Sequence, residues 1–427
     1  MKEELIVSLD PGSDKIAGMV ATARDNSIKV IGAHRLEYEQ EVVRRGRVVD
    51  LEGLTQYVLQ ILKELEQQTS KPLRLVNLCV GGGFVRGWLA SKVMPLESKR
   101  RKITNSDLEL LLRQIQNESK FSSDAKILHL LPQEYVVDGE TRVKKSPEGM
   151  FGNSVESKVH ICVVSNNPLQ NFIQCVRNAE SLVDRIYPHS WACAEHLLSE
   201  EEKKRGVLLI DFGKGTTDFL VYIDGNLVAT YSIPVGGEFI DRDISQILGT
   251  PIQYAEELKK NYGWCNFDLL NQEKVDILQQ RVKVYSISGK LQGEVQAGAI
   301  SRIVYERIYE ILTKVIRGQI ERHLKDLKSP AYLGAGIVVT GGSSLLKGFV
   351  SAVERIFGRP TRIGIPKGLH GVPKNCQYPE YSAVIGVLFL RYKELLYAQE
   401  PEPPLIGKIT KVRDKILSRL NNWWDKW

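Results

Sequence analysis

Two apolar runs along the chain end in the same way, with an aspartate followed two positions later by a glycine. In ELIVSLDPGSDKIAGMVA, at 4–21, residues 5–9 predict a buried strand that stops at Asp10 and turns at Gly12. GVLLIDFGKGTTDFLVYIDGNLV, at 206–228, repeats this plan with Asp211 and Gly213. Because apolar strands flank both turns, we predict that the chain contains two halves of similar fold.

A third glycine-rich segment is GAGIVVTGGSSLLKGFVSAVERIFG, at 334–358. It predicts a strand over 337–339, a turn at Gly341, Gly342 and Ser343, and then a helix, because apolar residues recur at helical spacing from Leu345 to Ile356. In such a turn the paired glycines would let a flat base or a ribose lie against the backbone.

A fourth segment, AEELKKNYG at 255–263, predicts a helix with Glu256 and Lys259 three positions apart. Two interpretations remain open for this pair. The two residues could form an ordinary surface ion pair, or they could hold a ribose.

The residue types in the two turns suit a phosphate chain. Glycines allow backbone N–H groups to approach an anion closely, and Lys15 can supply a point charge. Carboxylates at the ends of two strands could hold a hydrated Mg²⁺ through its waters, as this cation prefers. We therefore predict that Asp10 and Asp211 hold Mg²⁺ in this way and that Ser13, Thr216 and Thr217 add hydroxyl donors.

These four segments, in this order, resemble the actin-like ATPase superfamily. The resemblance implies an α/β fold of two lobes, each with a mixed sheet flanked by helices, and ATP with Mg²⁺ in the cleft between them. The candidate nucleotide-binding residues are Asp10, Gly12, Ser13, Lys15, Asp211, Gly213, Lys214, Gly215, Thr216, Thr217, Glu256, Lys259, Gly341, Gly342 and Ser343.

Three further segments are LPQEYVVDG at 131–139, GMFGNSVESKVHI at 149–161 and DFGKGTTD at 211–218. Through these segments the chain is similar, within that superfamily, to the FtsA family of bacterial cell-division proteins. In the last segment, Lys214 stands where a small residue is frequent. Lys214 either adds charge near the phosphates or points to solvent.

The resemblance also implies how the chain is divided. The first lobe would comprise 1–83 with 165–195 and about 376–395, and an FtsA-type subdomain would be inserted at 84–164. The second lobe would comprise 196–231 with 300–375, and its small subdomain 232–299. A linker at 396–408 and an amphipathic helix at 409–427 would follow.

The function implied is that of an ATP-binding protein that polymerises like actin. It would tether filaments of FtsZ, through the FtsZ C-terminal peptide, to the cytoplasmic face of the inner membrane at midcell, together with other division proteins. ATPase activity would be weak or regulatory, with the residue that orients water in a helix near 190–198. A PilM-like scaffold of a membrane machine and a sugar kinase of the same superfamily are the alternatives.

The end of the chain predicts a membrane anchor. After the proline-rich PEPP at 401–404, apolar residues recur every three or four positions on one helical stripe, and cations outnumber acids. Tryptophan and cationic side chains both suit the headgroup region of an anionic membrane, so we predict an interfacial helix. Its membrane-binding residues would be Ile409, Val412, Ile416, Leu420, Trp423, Trp424 and Trp427.

Composition narrows the remaining classes of protein. The net charge of +7 over 427 residues comes from scattered cations rather than from a basic stripe, so we predict no nucleic-acid partner. The six cysteines are widely spaced without a CxxC pair, which predicts reduced, buried thiols in a cytoplasmic protein. Neither a signal peptide nor an apolar run long enough to span a membrane is expected.

Overall fold

The computed structural model describes residues 3–24, 27–96, 100–265, 272–323 and 333–399 of the chain. The first segment builds most of a five-stranded sheet and one long helix. Its elements are β1 (Glu4–Pro11), β2 (Lys15–Arg24), β3 (Ser27–Glu37), β4 (Val43–Arg44), β5 (Arg47–Val48), α1 (Leu51–Thr69) and β6 (Leu75–Val80). Helix α1 starts after Asp50, whose carboxylate accepts a hydrogen bond from the Gly53 amide at 2.9 Å.

The chain then leaves this sheet to form a smaller unit, which we call the inserted subdomain. Its elements are β7 (Val85–Pro95), β8 (Arg101–Lys102), α2 (Asn105–Glu118), β9 (Ala125–Val137), β10 (Thr141–Val143), β11 (Phe151–Gly152) and β12 (Ser154–Ser165). Helix α2 is fixed by a capping box in which Thr104 and Asp107 each accept a hydrogen bond from the other's backbone N–H.

The chain next completes the first sheet and begins the second. The elements are α3 (Asn166–Asn178), β13 (Leu182–Pro188), α4 (His189–Leu197), α5 (Glu200–Arg205), β14 (Val207–Phe212), β15 (Thr217–Ile223) and β16 (Asn226–Ile233). The first sheet has the order β13-β6-β1-β2-β3, and β13, β6 and β1 run parallel. The carboxyl ends of these three strands therefore meet at one edge of the sheet.

The remaining elements form the small subdomain of the second lobe and then complete both lobes. They are α6 (Glu238–Leu248), α7 (Ile252–Tyr262), α8 (Gln272–Gln279), β17 (Arg281–Tyr285), β18 (Leu291–Gln296), α9 (Ala297–Glu310), a π-helical stretch (Ile311–Arg317), α10 (Gly318–His323), β19 (Ile337–Thr340), α11 (Phe349–Phe357), β20 (Thr361–Ile363) and α12 (Ser382–Gln399).

The second sheet joins the inserted subdomain to the second lobe. Its order is β10-β9-β12-β7-β16-β15-β14-β19-β20, and the junction is the antiparallel pair of β7 and β16. Across this junction, the buried imidazole Nε2 of His160 lies 3.0 Å from the Thr230 hydroxyl. The edge strand β16 thus pairs its backbone with the inserted subdomain, which an unpaired edge favours.

Helices α4 and α12 lie between the two sheets. One face of the five-stranded sheet is covered by α1 and α3 and the other by α12, while α4 packs against β14 and β15 of the second sheet. The two helices meet at Gly386, where an added Cβ would lie 1.9 Å from the carbonyl oxygen of Ala192. This close approach fixes the position of α4, whose first residue is His189.

Two segments differ from the sequence-based predictions. The helix expected directly after Ser343 begins only at Phe349, behind a 3-10 turn at Gly342–Leu345, because Gly348 adopts a left-handed φ of 78° that interrupts it. Consistent with this, Leu345 is 48% exposed. Helix α12 continues through Gln399, so the first residues of the predicted linker are helical. The remaining linker residues from 400 and the predicted membrane helix at 409–427 lie outside the described residues.

Candidate functional site

The two aspartate–glycine turns have the same backbone hydrogen bonds. In the first, the Gly12 amide donates to the Lys15 carbonyl at 2.9 Å, and in the second the Gly213 amide donates to the Thr216 carbonyl at 2.9 Å. Each aspartate also pairs with the residue seven positions later on the next strand, Asp10 with Ala17 and Asp211 with Asp218. The internal similarity predicted from the sequence is therefore present in backbone geometry.

The two turns face each other in direct contact. An added Cβ on Gly215 would lie 2.3 Å from the hydroxyl oxygen of Ser13, so only glycine fits at this position. Arg45, in the β4–β5 hairpin, makes a second contact across the cleft, with Nε 2.7 Å from a carboxylate oxygen of Glu238. The two lobes thus close on each other around the turns.

Lys214 adds an ionic bridge across the same cleft. Its ammonium contacts the carboxylate of Asp14 in the first turn and lies 2.9 Å from that of Glu256 on α7. Burial lowers the pKa of Lys214, but the hydrogen bonds with Asp14 and Glu256 outweigh burial and raise the pKa above its ordinary value. Of the two alternatives left open by the sequence, the structure therefore places this charge within the cleft.

Asp10 and Asp211 approach one residue that the sequence analysis did not select, His189. Nε2 of His189 lies 2.7 Å from Asp10 Oδ1, and Nδ1 lies 3.8 Å from Asp211 Oδ2. Burial raises the pKa of Asp211 to about 7. Burial lowers the pKa of His189, but the adjacent Asp10 outweighs this and raises it well above its ordinary value. The thiol of Cys193 donates to Asp211 Oδ2 at 3.4 Å.

The glycine pair after β19 borders the second turn. Thr340, the last residue of β19, pairs with Asp211. Gly341 has a left-handed φ of 87°, and a Cβ added there would lie only 2.3 Å from Asp211 Oδ1. At Gly342 the nearest atoms to an added Cβ belong to Glu380, 3.6 Å away, which is an ordinary contact distance. The hydroxyl of Ser343 is not free, since it donates to the Gly213 carbonyl at 2.9 Å.

Several predicted ligands already have protein partners. Lys15 lies 3.3 Å from Glu380, and its pKa is lowered, mainly by burial. The hydroxyl of Thr217 donates to the Val235 carbonyl at 2.7 Å, and that of Thr216 donates to Asp218 at 3.0 Å. Both threonine hydroxyls of the second turn therefore already donate to protein acceptors.

Of the two interpretations left open for Glu256 and Lys259, the ion pair between them does not form. Lys259 is buried and lies 2.7 Å from the carboxylate of Asp241, which is also buried. Glu256 instead contacts Lys214 and Lys260; burial alone would raise its pKa, but these two lysines lower it to about 2. Glu256 is therefore a carboxylate anion that faces the cleft. Lys259, on α7, instead joins the two helices through its ion pair with Asp241 on α6.

Two residues were missed by the sequence analysis, His189 and Cys79. Cys79 lies in VNLCV, where the sequence predicted only a reduced, buried thiol, and it forms a hydrogen bond with His189. The available signal was positional, because both residues stand at the carboxyl ends of strands parallel to β1. Without the strand order this signal could not be used. All six cysteines, each within the described residues, are buried and free, as predicted.

Family models match two parts of the chain. The model described as "Cell division protein FtsA" matches residues 208–386, and the model described as "SHS2 domain inserted in FTSA" matches residues 82–163. The cell division protein FtsA of Pseudomonas aeruginosa is 30% identical over 387 residues, covering 90% of this chain and 88% of that protein. The chain belongs to the FtsA family of cell-division proteins. The FtsA of Borreliella burgdorferi is 29% identical over 427 residues, covering 100% of this chain and 99% of that protein.

Solved structures confirm the predicted actin-like fold. The PilM-PilN type IV pilus biogenesis complex matches with a TM-score of 0.61 at 16% identity, covering 91% of this chain and 98% of that one. MreB5 of Spiroplasma citri bound to ADP matches with a TM-score of 0.51 at 15% identity, covering 93% of this chain and 99% of that one. A chain of the MamK double helical filament matches with a TM-score of 0.51 at 12% identity, covering 91% of this chain and 98% of that one.

Among the residues that the structure describes, no helix is long and apolar enough to cross a bilayer.

Proposed function

We propose that this FtsA-family protein binds ATP with Mg²⁺ between the two turns and uses the nucleotide to control its assembly. The observation that carries this proposal is the pair of turns with the same hydrogen bonds, facing each other with Asp10 and Asp211 on either side of His189. The name of one fold relative, MreB5 bound to ADP, supports a nucleotide in this fold.

The residues present fit a hydrated Mg²⁺. Asp10 is 8% exposed and its Oδ1 lies 2.7 Å from His189 Nε2, so a metal-bound water would share this carboxylate with the imidazole. Asp211, on the facing turn, offers a second carboxylate. When bound, Mg²⁺ would neutralise charge on the phosphate chain. The chain itself would bind the phosphates through the Gly12 and Gly213 turns and exclude water by closing the two lobes.

Gly342 provides the sharpest test of the nucleotide proposal. Since no atom lies closer than 3.6 Å to an added Cβ, the open side of this residue is where we place the nucleotide. A Gly342→Trp protein should remain folded but lose ATP affinity by at least tenfold, measured by titration with a fluorescent ATP analogue. Leu110→Trp, at an exposed position on α2, is the matched control and should bind as the wild type does. Unchanged affinity in a folded Gly342→Trp protein would refute this site.

We further propose that the protein polymerises and tethers FtsZ filaments to the membrane. Family membership supports the division role, and the filament named for MamK supports assembly through this fold. Under this proposal the chain keeps the division into two lobes, an inserted subdomain, a small subdomain, a linker and a membrane helix given above. The pilus-scaffold and sugar-kinase alternatives are disfavoured by the FtsA family match.

We propose that the FtsZ peptide binds the small subdomain on one exposed apolar face. The end of α6 and the start of α7 contribute Ile247 and Ile252, which are 64% and 43% exposed. The β17–β18 hairpin contributes Ile287 and Leu291, at 81% and 56%. The hairpin is attached to the α6–α7 turn by a 3.0 Å hydrogen bond from Gln292 to the Gly249 carbonyl, so these side chains belong to one surface. Exposed apolar patches of this kind mark binding sites.

Membrane attachment is assigned to residues 409–427. Partial insertion of the apolar stripe contributes up to about 1.5–3 kcal/mol for each deeply buried side chain, and each cation near an anionic leaflet adds about 1 kcal/mol. Ordering the helix on the membrane offsets part of this gain, so attachment should be reversible.

A further inference from the structure

Two ion pairs join the lobes across the cleft, and both converge on the second turn. In one, the ammonium of Lys214 contacts the carboxylate of Asp14, which belongs to the first turn. In the other, Nε of Arg45 lies 2.7 Å from a carboxylate oxygen of Glu238. All four side chains are partly exposed, so an ion from solvent can reach them. We call these two ion pairs the cross-cleft pairs.

Both second-lobe members of the cross-cleft pairs are anchored at the second turn. Lys214 is part of the turn, and its carbonyl accepts a 2.8 Å hydrogen bond from the backbone N–H of Glu238. The chain between them packs tightly, since a Cβ added to Gly236 would lie 2.5 Å from the same carbonyl oxygen. A ligand that binds at this turn therefore acts on both ion pairs at once.

Arg45 is presented to the cleft by the tip of the β4–β5 hairpin. Arg45 and Gly46 have positive φ values of 49° and 73°, which the type I′ turn of a two-residue hairpin requires. Arginine is uncommon in this conformation, which favours asparagine, aspartate and glycine. Gly46 fixes the tip in place, because an added Cβ would lie 2.3 Å from the Gly81 carbonyl oxygen. The Arg45 guanidinium is thus held next to the turn proposed to bind phosphate.

The cross-cleft pairs can break without leaving a charge unpaired in the second lobe. Lys214 also lies 2.9 Å from Glu256 on α7, and Glu238 also lies 3.4 Å from Arg242 on α6. Both of these contacts lie within the second lobe, so they persist when the lobes separate. The first-lobe members are partly exposed and become hydrated instead, which avoids the cost of a buried, unpaired charge.

The strength of the cross-cleft pairs suits a reversible contact. An ion pair between partly exposed side chains contributes up to about fivefold to an equilibrium constant. Salt weakens such a pair further. Two pairs together therefore favour closure of the lobes without making it permanent.

We propose that the cross-cleft pairs hold the lobes together in nucleotide-free protein, and that nucleotide phosphates break them by taking Lys214 and Arg45 as ligands. A phosphate group carries more negative charge than a carboxylate, and guanidinium binds it through two parallel hydrogen bonds. Asp14 is then a competitor of the nucleotide, which bridges the lobes in place of the two ion pairs. The competition rests on the proposed function, whereas the contact between the lobes does not.

Hydrogen–deuterium exchange of the nucleotide-free, full-length protein tests the contact between the lobes. Asp14→Asn and Arg45→Gln should each raise the exchange rate of peptides that contain either turn by about threefold or more. Lys260→Gln is the matched control and should exchange as the wild type does, because the 2.7 Å ion pair that it removes, with Glu256, lies within the second lobe. Thermal unfolding would verify that each variant is folded. Unchanged exchange in both cross-cleft variants would overturn this half of the proposal.

Titration with a fluorescent ATP analogue and Mg²⁺ tests the competition, because the same two variants should shift the affinity in opposite directions. Asp14→Asn removes only a competitor and should tighten binding about threefold. Arg45→Gln removes a ligand and should weaken binding about tenfold, while Lys260→Gln should leave it unchanged. Weaker binding in both cross-cleft variants, as a merely structural role predicts, would overturn the competition, and so would unchanged binding in both. A wild type that binds no ATP would refute the proposed function, while the contact between the lobes is judged by hydrogen exchange alone.

Discussion

Replacing His160 with asparagine should make the protein less sensitive to acid. His160 lies on β12 at the junction of the inserted subdomain with the second lobe, is 1% exposed, and contacts the Thr230 hydroxyl at 3.0 Å. Burial lowers its pKa from 6.5 to about 3. The folded protein therefore keeps this imidazole neutral in a pH range where the unfolded chain protonates it.

The sign and the size of the pH effect on the free energy of unfolding follow from the difference between the folded and unfolded pKa values of His160. A base whose folded pKa is depressed contributes stability that is present above pH 6.5 and is lost as the pH falls toward the folded value. Each pKa unit corresponds to about 1.36 kcal/mol, so between about pH 7 and pH 5 the wild type should lose about 2 kcal/mol to this histidine. The buried His129 and His196, whose pKa values are lowered to about 4, add similar losses that are shared by wild type and variant.

Urea unfolding followed by tryptophan fluorescence measures this difference, and Trp88, paired with Ile161 beside the junction, is a local reporter. The free energy of unfolding of His160→Asn should fall by about 2 kcal/mol less than that of the wild type over the same interval. Thr230→Val is the matched control. It removes one hydrogen bond, about 1 kcal/mol at every pH, but leaves the imidazole buried and the pH dependence intact. Equal losses in wild type and His160→Asn would refute the reasoning.

Three further predictions concern helix packing, the FtsZ partner and the membrane. Gly386→Ala should lower the free energy of unfolding by about 1–3 kcal/mol and weaken ATP binding, since α4 must move; Gly318→Ala, with no atom closer than 4.0 Å, should not destabilise the protein in the same unfolding assay. A labelled FtsZ C-terminal peptide should bind the tail-deleted protein saturably, and Ile252→Glu should abolish binding measured by fluorescence anisotropy. Deleting 409–427 should release the protein from anionic vesicles in a pelleting assay without changing ATP affinity, whereas a loss of thermal stability with unchanged pelleting would contradict the anchor.

The sequence was sufficient to predict the paired turns, because their geometry is local. Asp10 and Gly12 lie two positions apart, as do Asp211 and Gly213, and a tight turn with a strand on each side needs only these neighbours. The actin-like fold was implied by the resemblance of these turns and the third glycine turn to a known superfamily, and it was confirmed by comparison with solved structures. The start of α11 was not predicted correctly, because apolar spacing does not reveal that Gly348 adopts a left-handed conformation.

Only the tertiary structure could assemble the rest of the site. Cys79 and His189 meet Asp10 because strands β6 and β13 lie parallel to β1, and strand order is a long-range property that no local pattern encodes. The same applies to Lys214, whose partners Asp14 and Glu256 come from opposite sides of the cleft. The junction of β7 with β16 depends on which edge strand is left unpaired once both lobes have formed. Local spacing thus determined the turns, while packing of distant strands determined which charges and donors those turns meet.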